Sequence, residues 1–176
     1  MLKNHLFKSK VEFNMTIRIA TAVDFPNIAA IYNEFIRLGS STMEEKIHDE
    51  KDIAAWVEKF NARERLYVME VADEIIGWGI IKKYSDREGY RFAAETAVYL
   101  TSSQVGKGYG SRMKKYLMEQ ARLLEYRHLI AKIFAKNEAS IRYNMKLGYT
   151  LVGTQKNIGF KNGAWQDVVI LQLLLY

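Results

Sequence analysis

The sequence of 176 residues suits one compact domain, and a hydrophobic content of 49% is enough to bury a core without covalent staples. It contains no cysteine, which excludes disulfides, thiolate metal sites and cysteine nucleophiles. Lys plus Arg is 26 and Asp plus Glu is 20; the excess of +6 is spread along the chain, without the basic blocks and reading element of a nucleic-acid-binding protein.

The start, residues 1–14, has Lys3, Lys8 and Lys10 breaking its apolar residues, so it makes a poor secretory signal. It is expected to be a loosely held extension ahead of a single domain over 15–176. No stretch approaches the ~18 apolar residues of a membrane span, and a cysteine-free chain fits the cytoplasm.

Thr16–Thr21 reads as a strand. Asp24 caps a helix with Pro26 in its first turn, apolar residues Ile28, Ile31, Tyr32, Phe35 and Ile36 on one face, and Gly39 at its end. A second helix follows Asp49, with Ile53, Trp56, Val57 and Phe60 facing inward. Leu66–Val71 and Ile75–Lys83 form a hairpin about Ala72–Asp73–Glu74, and Phe92–Leu100 is another strand. A helix runs from about Gly108 to Leu124, a strand over Leu129–Phe134, and a helix capped by Asn137 ends at Gly148. Strands Thr150–Ile158 and Val168–Leu174 finish the chain around a turn at Lys161–Gly163. The order β-α-α-β-β-β-α-β-α-β-β predicts an α/β (α+β) fold with a mostly antiparallel sheet, neither a helical bundle nor a β-α barrel.

The richest stretch is Val98–Ser111, where a strand meets Gly106, Gly108 and Gly110 and a helix begins at once. Glycines let a backbone approach a ligand, and free N–H groups at a helix start favour an anion, so the loop suits a pyrophosphate, with Lys107 adding charge. A plain glycine turn is the alternative. The nucleotide P-loop is excluded, because Ser111-Arg112 follows the last glycine. The dinucleotide fold is excluded because the glycines come mid-chain.

These residues resemble the GNAT superfamily of N-acetyltransferases, whose loop reads Gln/Arg-x-x-Gly-x-Gly/Ala; here Val105 stands at the Gln/Arg position and Gln104 one place early. Further segments are similar to the phosphinothricin-type subgroup: Tyr90–Leu100, Asn137–Ser140 with Lys146–Tyr149, and Val152–Val168, besides Ile17–Ala22 and Ile31–Asn33. The resemblance spans about Thr16–Leu175. It implies a GNAT fold with acetyl-CoA held between splayed central strands, a homodimer, a small primary amine as acceptor, and no metal. In keeping with the last, His5, His48 and His128 have no metal spacing.

By the resemblance, Val98, Tyr99, Leu100, Val105, Gly106, Lys107, Gly108, Tyr109, Gly110, Ser111, Asn137 and Lys146 hold the cofactor, the N–H groups of Val98 and Leu100 orienting it. Asn137 is also an ordinary N-cap, and Lys146 an ordinary last-turn lysine. Glu95 is the candidate base, acting through water; its neighbours Phe92, Ala93, Ala94, Val98 and Leu100 suggest an apolar setting that would raise its pKa, though alternation alone also fits a solvated strand face. Asn144 stands where the family has Tyr or His, so a side-chain general acid is missing there; Asn144 could still bond the sulfur or a water. Tyr143, one position off, should face elsewhere on its helix. The substrate loop Tyr84–Arg91 comprises Tyr84, Arg87, Glu88, Gly89, Tyr90 and Arg91. Relatives carry Trp-Arg where this chain has Tyr84-Ser85, which leaves Arg87 or Arg91 for a substrate carboxylate, or as plain surface residues. Trp165 suits a dimer or pocket edge. An acceptor at a peptide or protein N-terminus, and an acyl-CoA-binding module without catalysis, are the competing readings.

Overall fold

The computed structural model describes residues 14–176, so the expected extension lies outside the described residues but for Asn14. Seven strands and four helices follow in the order β1 Met15–Ile19, α1 Phe25–Leu38, α2 Glu50–Glu58, β2 Arg65–Val71, β3 Glu74–Lys83, β4 Ala93–Leu100, α3 Tyr109–Leu123, β5 His128–Phe134, α4 Glu138–Lys146, β6 Thr150–Lys161 and β7 Ala164–Leu174.

Two of the four helix starts follow capping chemistry, whereas Asp24, expected to cap α1, instead accepts from Arg18 and the Thr21 N–H. Asp49 accepts from the N–H groups of Lys51 and Asp52, and Asn137 Oδ1 accepts from Ser140 N at 3.1 Å. The final hairpin is longer than expected. Its turn is only Asn162-Gly163, both at positive φ, so pairing continues to Lys161 and Ala164.

One sheet holds all seven strands in the order β1-β2-β3-β4-β5-β7-β6. Every pairing is antiparallel except that of β4 with β5. Helices α1 and α2 cover one face, where Ile28, Ile31 and Ile53 pack on Leu66, Val68 and Trp78. The other face carries α3, whose Met113, Leu117 and Ala121 meet Tyr67, Ile81 and Leu129. Gly79 allows that approach: a Cβ there would lie 3.0 Å from Leu117.

The parallel β4–β5 pairing positions the site. It covers three residue pairs, Ala93↔His128, Ala94↔Leu129 and Glu95↔Ile130, and then stops. Beyond Glu95 the two strands diverge, and a gap opens in the middle of the sheet.

Candidate active site

Backbone polarity follows from the ends of β4. Ala93 accepts from Tyr84 N and Thr101 donates to Ile76 O, both toward the β3 side. Strand alternation therefore turns the backbone groups of Thr96, Val98 and Leu100 toward β5. Past Glu95 no strand meets them, so the N–H groups of Val98 and Leu100 face the gap.

The gap is the floor of a cleft of about 420 Å³, walled by β4, β5, the glycine loop and α4. Val98, Tyr99, Leu100, Val105, Gly106, Gly108, Gly110, Ser111, Asn137 and Asn144 all line it. Lys107, Tyr109 and Lys146 do not; Lys107 reaches Gln104 Oε1 at 3.1 Å instead. Gly106 and Gly108 have φ of +83° and +86°, and a Cβ on either would meet nothing within 4 Å among the described residues. The backbone here needs glycine and leaves open space above it. Gly108 is the N-cap of α3 and has no side chain to cap it, so the first N–H groups of a 15-residue helix are free for an anion.

Ala139, Ser140, Tyr143 and Asn144 of α4 line this cleft. Asn144 is buried and donates to Ser140 O at 2.8 Å, while its Oδ1 has no partner among the described residues. Tyr143 lines the same cleft, contrary to the expectation that it faces elsewhere. Neighbours on a helix differ by about 100° in direction, and the cleft is broad enough to meet both. Burial pushes the Tyr143 phenol above its ordinary value, partly offset by the side chains of Asn144 and Ser140, so it stays protonated at neutral pH.

On the opposite face of the sheet lies a second cavity of about 820 Å³. It shares Ser41, Thr96, Ala97, Tyr99, Lys132 and Phe134 with the first, so the two meet through the gap. Glu95 lines this second cavity. Its carboxylate does not sit in apolar surroundings: Lys132 pairs with Oε1 and Lys82 lies 3.7 Å from Oε2. Alternation explains the meeting, because Glu95 on β4 and Lys132 on β5 both point toward the α1–α2 side.

Of the loop Tyr84–Arg91, only Asp86 reaches the cavity wall. Tyr84 packs on Tyr90 at 5.5 Å and lies under Lys132 Nζ at 5.6 Å from its ring centroid. The Arg91 guanidinium lies over Phe92 and donates to Glu88 O, and Arg87, Glu88 and Gly89 are exposed outside the wall. The cations on the wall are Lys59, Lys82, Lys83 and Lys132.

The far wall is the segment Ser41–Glu44, which sequence reading passed over. It is held from a distance. Lys161, itself buried, donates to the carbonyls of Thr42 at 2.7 Å and Glu44 at 2.6 Å, and Tyr32 Oη bonds Thr42 Oγ1 at 2.8 Å. No local pattern reports such a contact. Among the described residues, no His, Cys, Asp and Glu are grouped to hold a metal ion, and no helix is long and apolar enough to cross a membrane.

In sequence and in fold the chain is similar to known proteins. An L-methionine sulfoximine/L-methionine sulfone acetyltransferase of Pseudomonas paraeruginosa is 33% identical over 165 residues, covering 91% of this chain and 94% of that one. Among solved structures, a GNAT superfamily phosphinothricin acetyltransferase of Sinorhizobium meliloti, in complex with acetyl-CoA, superposes with a TM-score of 0.86 at 31% identity, over 92% of this chain and 88% of that one. A ribosomal-protein-alanine N-acetyltransferase of Brucella melitensis gives 0.87 at 32% identity, over 91% and 99%. The family model described as "Acetyltransferase (GNAT) domain" matches residues 17–170, and the chain belongs to the GNAT acetyltransferases.

Proposed function

We propose that this chain transfers the acetyl group of acetyl-CoA to the primary amine of a small carboxylate-bearing molecule, an amino acid or an analogue of the methionine sulfoximine or phosphinothricin kind. The observation that carries this reading is the gap after Glu95. One strand offers backbone donors to the glycine-lined cleft and, one turn of the pleat earlier, a carboxylate to the cavity behind it.

The cleft suits the donor. Free α3 N–H groups and the open space over Gly106 and Gly108 fit a pyrophosphate, and the Val98 and Leu100 amides fit the pantetheine arm. The unpaired Asn144 Oδ1 supplies one acceptor on the opposite wall. When bound, acetyl-CoA supplies a thioester carbonyl as electrophile. The chain does the rest. Glu95 takes a proton from the incoming ammonium, directly or through water. Lys82 and Lys132 receive the carboxylate, the part that Arg87 and Arg91 are not placed to play. The Val98 amide polarises the thioester oxygen, and the Tyr143 phenol, protonated at neutral pH, can donate to the departing sulfur.

Two wider proposals follow. The chain works in the cytoplasm, in line with its lack of cysteine. It also pairs with a second copy through the last hairpin, where Leu151, Val152, Ile158, Phe160 and Trp165 are all more than half exposed.

The first test mixes the protein with acetyl-CoA and a panel of amino acids, methionine sulfone, methionine sulfoximine and phosphinothricin, and follows free thiol. Release with one of them, reduced ~10²–10⁴-fold in kcat by Glu95→Gln while acetyl-CoA still binds, is the expected outcome. Turnover only with a peptide amine would move the acceptor to protein N-termini. Binding without any turnover would leave an acyl-CoA-binding module, and no binding would overturn the reading of the glycine loop.

A further inference from the structure

Helix α3 buries four side chains, and one of them is charged: Lys114, at 2% exposure, beside Met113, Leu117 and Ala121. It belongs to no step described above, yet it lines the donor cleft. Its Nζ donates to Thr96 Oγ1 at 2.7 Å and to the Thr96 carbonyl at 3.2 Å, and lies 4.9 Å from the centroid of the Tyr149 ring. Burial alone, with no charge of either sign contributing, lowers its pKa to about 7. The nearest titratable groups are neutral or already paired. Tyr149 Oη bonds Thr96 Oγ1 at 3.3 Å and, like Tyr143 on α4, is pushed up by burial. Lys132 on β5 is taken by Glu95.

The place of the Thr96 carbonyl in the sheet gives this contact its meaning. The rungs between β5 and β4 rise two residues at a time. His128 N donates to Phe92 O at 3.1 Å, and the register carries the next rung to Ile130 and the Ala94 carbonyl. The rung after that would be the Lys132 amide to the Thr96 carbonyl. It is not made: the pairing ends at Glu95↔Ile130, and the Thr96 carbonyl accepts from Lys114 instead. A carbonyl has two lone pairs, so Lys114 does not exhaust it; but a buried carbonyl already satisfied from α3 carries no penalty for lacking the rung, and the drive to pair is lost.

We propose that Lys114 is a positioning residue for donor binding: by satisfying the Thr96 carbonyl from α3 it stops β4 and β5 from pairing beyond Glu95 and holds the sheet open for the acyl end of the donor. The claim about the open sheet stands on the hydrogen bonds alone; the claim about the donor rests on the proposed function. The side chain reaches across from the apolar face of a helix, so a lysine is suited to the task. Its long stem packs in the core while its head supplies donors to two oxygens of one residue.

The test compares the native chain with Lys114→Met, which keeps the length of the side chain and removes the donor, and with Thr96→Val, which keeps Lys114 but removes its 2.7 Å partner. Hydrogen exchange of the Lys132 backbone amide is measured without ligand, and acetyl-CoA affinity by calorimetry. In Lys114→Met the freed carbonyl takes up the Lys132 amide: its exchange slows at least ~10-fold, and acetyl-CoA binds at least ~10-fold more weakly, while kcat at saturating donor stays within about twofold. Thr96→Val shifts both readouts the same way by a smaller factor, and decides the matter if Lys114→Met does not fold. Exchange of the Lys132 amide at the native rate, or a donor affinity within about twofold of native, overturns the proposal. If the native chain binds no acetyl-CoA, the functional reading falls, and the exchange experiment alone judges what holds the strands apart.

Discussion

Glu95, the base proposed above, is held from two sides by ammonium groups, and in that proposal this shapes which amines it would serve. A carboxylate paired with Lys132 and Lys82 has its lone pairs engaged by those lysines. An acceptor that brings its own carboxylate offers the lysines a replacement partner and leaves Glu95 to the ammonium. A bare amine offers none. Lys132→Met is therefore expected to raise KM for an amino-acid acceptor about tenfold and to change that of its decarboxylated counterpart far less; steady-state kinetics on the pair checks it. Lys114 lends itself to a second measurement. Its pKa falls from the ordinary 10.5 to about 7 on folding. Between these values the unfolded chain keeps a proton that the native chain has shed, so native stability rises with pH across the window. Below about 7 both states are protonated and the cost of burying the ammonium is fully present. Lys114→Met lacks this slope, so the native chain gains stability relative to the variant between about pH 7 and pH 10, as urea unfolding at the two pH values would show.

Helix α3 starts from a glycine because its N-cap sits at a φ of +86°. Gly108→Ala is expected to cost roughly 1–2 kcal/mol of stability, the penalty of placing an L side chain in left-handed backbone. It should weaken acetyl-CoA binding more than tenfold, since the added Cβ would enter the open space proposed for the phosphates; melting and calorimetry read the two effects separately. This element was legible in the sequence, as were α2 and α4, because Asp49 and Asn137 are local signals and their caps form as expected. The last hairpin was read too short. Register shifts at Leu151/Gly153 and Gln155/Gly159 break the alternation that would have shown β6 running on to Lys161. Other parts had no local signature. The wall at Ser41–Glu44 depends on Lys161, more than a hundred residues away. The meeting of Glu95 with Lys132 depends on two strands that pair for three residues only. Lys114 did leave a mark, a charge inside the apolar stripe 113, 117, 121, of the sort that marks a buried polar task.

At the scale of the whole molecule, β6 ends the sheet with an open edge, and the hairpin it forms with β7 exposes Phe160 and Trp165 packed edge to face at 5.2 Å. An uncovered apolar edge invites a partner. Light scattering on the purified chain is expected to give twice its 20.4 kDa mass, and Trp165→Glu to return it to a single chain with its fold intact. A monomer in the native protein would overturn the pairing. The same sheet has a seam. Strands β1 to β4 form one half and β5, β7 and β6 the other, and three residue pairs join them. The pantetheine arm carries amides of its own, spaced along an extended chain. Laid in the gap as proposed, it would offer β4 the rungs that β5 withholds, and for the length of one reaction the sheet would gain another member. On the proposed function, the enzyme folds with a rung missing from its own hydrogen-bonded order, and its donor would be a guest strand, admitted and dismissed at every cycle.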